Sequence, residues 1–264
     1  MPHTSSSASS RHGFTLVELS IVLAIIGLLV GGILGGQSLL RAAELKAILT
    51  DFNRYKTATL QFKDQYGGLP GDLLDATEYW GQAAAGASCA TTVGAGTATC
   101  NGNGNNFVNS ITGSDEELRF WQHLANAGLV VGSFNGVAAN GVASSHASDR
   151  TNSPTGKITN SFWFTWAWVG ITSDSIFFNG SYGNSFAYGQ VNPGSWPANP
   201  LLRPDEAYAI DRKADDGKPG LGGVLGLGWN ECTLAANSAA TNADYDLANT
   251  STLCFLVFTN IDGA

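Results

Sequence analysis

The chain has 264 residues, 13 basic against 21 acidic side chains, and a formal charge of −8 at pH 7. Its basic residues are scattered, so no positive stripe exists to track a phosphate backbone, and nucleic-acid binding is excluded on that ground. Charged residues make up 13% of the chain while 33 glycines punctuate Ser-, Thr-, Asn- and Ala-rich stretches, a composition short of charge for an ordinary soluble domain.

In chain order, a polar leader, MPHTSSSASSRHG, carries Arg11 and His12 and precedes the one long apolar run, from Phe14 to Gly36. About 23 residues at about 1.5 Å each reach roughly 34 Å, enough for a tilted transmembrane helix. A secretory signal peptide would have a shorter apolar region and a small-x-small cleavage site after it. Positive charge before the span places the leader in the cytoplasm and the bulk of the chain beyond the membrane. Glu18 sits inside this run, where a carboxylate costs roughly 2.5–3.5 kcal/mol to insert. Such a residue calls for a partner. Gly31, Gly32, Gly35 and Gly36 interrupt the second half, which reads either as close helix packing or as a segment able to loosen.

Beyond Gly36 the helical pattern continues without proline. Ile48, Phe52, Tyr55, Thr59, Phe62 and Tyr66 recur at alternating spacings of four and three, one stripe of an amphipathic helix facing a globular domain. Gly67, Gly68 and Pro70 end it. Residues 67–81 read as a turn and a short helical piece, and 83–113 as a Gly-, Ala-, Thr- and Asn-rich loop. A second amphipathic helix follows, with Ser114 and Glu117 as a capping box and Leu118, Trp121, Leu124 and Leu129 as its apolar side. Residues 132–161, polar and Gly-rich, predict a surface excursion. SFWFTWAWVG alternates as a strand, with Phe162, Phe164, Trp166 and Trp168 on one face. SIFFNGSYGNSFAYG predicts strand, turn and strand. A helix starts at Pro204, which suits a first helical turn, and STLCFLVFTNI predicts a last strand. The expected fold class is α+β, a long N-terminal helix with a small antiparallel sheet.

Four cysteines, Cys89, Cys100, Cys232 and Cys254, form no CxxC pair and the four histidines are dispersed, which argues against zinc. In an oxidising compartment they allow three pairings, and proximity favours Cys89–Cys100 with Cys232–Cys254. Asp211, Asp215 and Asp216 before Gly217 offer hard oxygen ligands that suit calcium, although a solvated helix-ending turn is the plainer reading. Otherwise no cofactor is expected. The aromatic strand reads as sheet core or filament contact before it reads as a sugar platform, and His123 as a structural hydrogen-bonding residue. GxSxG, HExxH, GxxxxGK and GxGxxG are all absent, so no enzymatic activity is expected.

A short basic leader ending in Gly13, then FTLVE and about 20 apolar residues, resembles the class III signal of type IV pilins and type II secretion pseudopilins. QFKDQYGGLPGDLLDATEYWG, ELRFWQHLANAGLVVG and AYAIDRKADDGKPGLGGV are similar, less specifically, to segments of large pilin-like proteins. The resemblance implies cleavage after Gly13 by a prepilin peptidase, which also methylates the new N-terminus at Phe14. It implies a bacterial inner-membrane protein with one span, its globular domain in the periplasm, assembled by an inner-membrane platform with itself and other pilin-like subunits. Glu18 would meet the N-terminal amine of an adjacent subunit. Pilin-like calcium sites in a C-terminal loop bear on the acidic turn, whose spacing departs from an EF-hand. The implied division is a leader at 1–13, a transmembrane or filament-core segment at 14–36, an amphipathic continuation at 37–66 and an α+β domain at 67–264. The span lacks the proline that kinks many major pilins, which favours a pseudopilus subunit over a type IV pilin. A signal-anchored, sugar-binding surface protein is the alternative of another class.

Overall fold

The computed structural model describes residues 13, 15–111 and 114–263. Contacts divide the chain into two units, Met1–Ala43 and Glu44–Ala264. Helix α1 runs from Leu16 to Tyr66. In the first unit its apolar surface is uncovered, and every described residue from Gly13 to Gly35 is exposed. The helix stays regular across Gly31, Gly32, Gly35 and Gly36. A Cβ added at any of these four would meet nothing within 4 Å, so no contact among the described residues requires glycine there.

The second unit is α+β. Short helix α2 (Ala76–Trp80) is followed by the two-residue strands β1 (Ser110–Ile111) and β2 (Ser114–Asp115), and by α3 (Glu116–Asn126). The sheet proper is built from β3 (Ser161–Trp168), β4 (Gly183–Gln190), β5 (Val224–Leu227) and β6 (Phe255–Phe258), with α4 (Pro204–Ala214) between β4 and β5. Its order is β3-β4-β6-β5 and every pairing is antiparallel, with Trp163 opposite Tyr188, Phe186 opposite Phe258 and Val224 opposite Phe258.

One sheet face carries Trp163, Phe186 and Phe258, and the aromatic stripe of α1 packs on it. Tyr55 meets Trp163 at 5.5 Å between ring centroids, and Phe52 stacks on Phe258 at 4.5 Å. From α3, Trp121 stacks on Phe186 at 5.3 Å and meets Tyr55 edge-on at 5.0 Å. The predicted stripe is thus the buried one, with Ile48, Tyr55, Thr59 and Phe62 inside. The opposite face, bearing Phe164 and Trp168, is covered by loops through Trp196 and Phe177.

Three expectations are corrected. Ser114 does not cap α3: it lies in β2, the helix starts at Glu116, and the Glu117 carboxylate instead accepts from Ser110 Oγ and faces His146 Nδ1. Tertiary partners outcompete the local cap. Within SIFFNGSYGNSFAYG only the second strand forms; the stretch before it makes a single bridge, Ile171 to Gly180, because Asp174 accepts from the backbone of Ile176 and Phe177 and curls the chain. Residues 132–161 are a surface excursion only in part: 139–144 are exposed, whereas Phe134, Val137, Ala138 and Ala147 are buried. Asn152 Nδ2 ties the buried part together, donating to the Val137 and Ala147 carbonyls at 2.8 Å.

Candidate functional site

At the N-terminal end Gly13 is exposed, whereas Phe14 lies outside the described residues. Thr15 and Glu18 form a reciprocal cap at the start of α1. Thr15 N–H and Thr15 Oγ1 both donate to Glu18 Oε2 at 2.8 Å, and Glu18 N–H donates to Thr15 Oγ1 at 3.2 Å. This is a capping box, which satisfies helix N–H groups that have no partner within the helix. Its signal, Thr-x-x-Glu, stands in FTLVE, and reading the acid only as a partner for another chain passes over it.

Helix start, exposed apolar surface and acid thus coincide within one segment. Residues 8–34 match the family model for the prokaryotic N-terminal methylation motif. The N-terminal segment carries a prepilin-type methylation motif. Its match covers Gly13, Glu18 and most of the apolar run of α1. No curated protein matches the chain, and no solved structure does. Among the described residues α1 is the one helix long and apolar enough to cross a membrane, which together with the prepilin motif fits membrane anchoring. The motif points to a structural, pilin-type subunit and not to a catalyst.

Both disulfides of the second unit join the cysteines nearest in sequence. Cys89 and Cys100 are 11 residues apart and Cys232 and Cys254 are 22 apart, with Cα separations of 6.0 and 5.0 Å. The first closes a loop that Arg119 holds from inside, with Nη2 donating to the carbonyls of Cys89 at 2.7 Å and Thr92 at 2.9 Å. The second lies in the core, where both cysteines are fully buried.

Asp211, Asp215 and Asp216 converge, with one oxygen of each within 4.8 Å of the others. Each also accepts protein hydrogen bonds. Asp211 takes Gly217 N–H at 3.0 Å and Tyr245 Oη at 2.8 Å, Asp215 takes Gly223 N–H, and Asp216 takes Lys218 N–H at 2.8 Å. Burial pushes Asp211 up to about 7. All donors at the turn are hard oxygens, the set calcium prefers.

The polar centre around α3 is structural. His123 is fully buried and held neutral, its pKa lowered to about 3 by burial and the neighbouring Arg119. Gly71 N–H donates to its Nδ1 at 2.9 Å, so Nε2 carries the proton toward Thr99 Oγ1 at 2.9 Å. Burial raises Asp115 to about 6 and Glu116 to about 8. In the unfolded chain both titrate near 4, so between about pH 4 and pH 8 the folded state binds more protons and stability falls as pH rises. The chain should therefore melt higher at pH 5 than at pH 8, and Glu116→Gln should flatten the slope above pH 6 in a thermal titration. An unchanged slope in that variant would remove Glu116 from the account.

The aromatic strand lends little open surface. Phe162, Phe164 and Trp168 are buried. Trp166 is half-buried beside His146, at 4.6 Å between ring centroids, on a cleft of about 100 Å³ that Trp196 also lines.

Proposed function

We propose that the chain is a prepilin-type subunit, cut after Gly13, methylated at Phe14 and polymerised through α1 into a type II secretion pseudopilus. What carries this reading is the methylation motif at residues 8–34 together with a helix whose described residues up to Gly35 are all exposed. Apolar surface of that extent must be covered by lipid, by other helices, or by each in turn. At the four glycines an added Cβ would meet nothing within 4 Å among the described residues, which leaves room for a neighbouring helix to approach closely. An unbroken helix without proline through the span favours the pseudopilus over a type IV pilus.

Processing tests the first step. Mass spectrometry of protein from a peptidase-competent host should find an N-methylated Phe14 terminus, and Gly13→Val should block cleavage while leaving membrane insertion unchanged. Recovery of the intact leader from wild type would count against the reading and in favour of a signal-anchored surface protein.

The acidic turn at Asp211, Asp215 and Asp216 is proposed to bind calcium. A cation that binds only the folded chain must raise its melting temperature, by about 2.7 kcal/mol of added stability at a hundredfold excess over Kd. The comparison is chelator against millimolar calcium at pH 8, where Asp211 is ionised. Equal melting temperatures would end the idea.

A further inference from the structure

On the second unit, Arg54, Tyr55, Val131, Phe134, Arg150 and Ser153 line a cavity of about 380 Å³ that no carboxylate lines. Arg54 is preset there. Its guanidinium lies 4.7 Å above the Tyr55 ring, and Nη2 donates to Tyr55 Oη at 2.7 Å and pairs with Asp51 at 3.1 Å. An arginine stacked and hydrogen-bonded in this way loses little freedom when it takes an oxyanion. Arg150 stands on a turn fixed by Asp149, whose Oδ1 accepts from Thr151 N–H and Thr151 Oγ1. The Arg150 side chain makes no ion pair among the described residues.

One further feature points to an occupant. Val131, at the rim, is 95% exposed. Two guanidiniums and an apolar rim suit a carboxylate carried on a partly apolar chain, the composition of protein–protein contact centres. A volume of that size takes more than a free ion. The chain itself has 21 acidic against 13 basic side chains, so a second copy is rich in the complementary group.

We infer that this cavity is a docking pocket for an acidic side chain of a second copy of the chain. The inference rests on the filament reading and adds a contact outside α1. Its test places a photo-cross-linking amino acid at Val131 in the full-length chain, produced in its membrane and mapped by mass spectrometry. The expected adduct is to an Asp- or Glu-bearing segment of another copy. Its yield should fall at least tenfold in Arg54→Glu/Arg150→Glu and in Arg150→Glu alone. The second variant alters an exposed side chain with no ion pair to lose, so it guards against misfolding of the first. Changing the mapped acid to lysine in the charge-reversed chain should restore the yield. No adduct, an adduct only to lipid or to another protein, or a yield indifferent to charge reversal overturns the pocket. Filaments that form without this adduct refute the pocket alone, whereas an unprocessed, monomeric wild type refutes the filament reading.

Discussion

Glu18→Ala is expected to leave membrane insertion and cleavage after Gly13 intact while abolishing filament assembly or reducing it severely. Insertion should become easier, since a carboxylate in the span costs roughly 2.5–3.5 kcal/mol. Cleavage should persist because Gly13 and the apolar run remain. Assembly should fail because the Phe14 amine of an incoming subunit would lie unpaired among apolar helices. An uncompensated buried charge of that kind costs roughly 3–5 kcal/mol. The capping box at Thr15 adds a control. Glutamine can hold the same cap, since Gln serves at that position as Glu does, but it carries no charge. Glu18→Gln should therefore keep the helix start and still fail to assemble. Shearing and cross-linking, read beside N-terminal processing, decide the matter. Normal filaments from Glu18→Ala would sink the pairing account, and normal filaments from Glu18→Gln alone would reduce Glu18 to a helix cap. Mixing mutant with wild type should give partial assembly, as each subunit contributes one acid and one amine.

Tyr55→Ala should produce the largest loss of stability of any single truncation in α1. Tyr55 is 2% exposed and touches Trp121, Trp163 and Phe186 at 5.0, 5.5 and 6.3 Å between centroids. One side chain thus joins α1 to both α3 and the sheet. Truncating a buried aromatic costs about 3–5 kcal/mol. At about 2–4 °C per kcal/mol for a domain of this size, a melting point lower by roughly 10 °C is expected. Tyr55→Phe keeps the ring and loses only the bond from Arg54, so it should cost about 1 kcal/mol. Thermal denaturation of the full chain in detergent checks both. A Tyr55→Ala loss no larger than that of Tyr55→Phe would mean that the ring contacts do not hold the helix to the sheet.

The consequences of Glu18 and of Tyr55 differ in where they can be read. Glu18, Gly13 and the apolar run form a local pattern, because a membrane span and a processing signal are set by consecutive residues. The helix over Leu16–Tyr66 was legible for the same reason, its stripe recurring with the helical period until Gly67 and Gly68 end it. Strand β3 was legible from its alternation, and neighbouring cysteines pair because each closes a short loop. Strand β5 was not foreseen: Val224–Leu227 is four residues long, within a Gly-rich stretch, and is defined only by pairing with β6. Burial of Phe134, Val137, Ala138 and Ala147 within residues 132–161 was equally hidden, since it depends on side-chain hydrogen bonds such as those of Asn152. The docking pocket gathers Arg54, Val131 and Arg150 from three distant segments, and no period or spacing links them. The sequence by itself determined the long apolar helix, its methylation motif and the α+β class, because these follow from patterns a few residues long. Only the tertiary structure decided which polar groups are buried, how the loops close over the sheet and where two arginines meet at one cavity, because each depends on what the folded chain brings near.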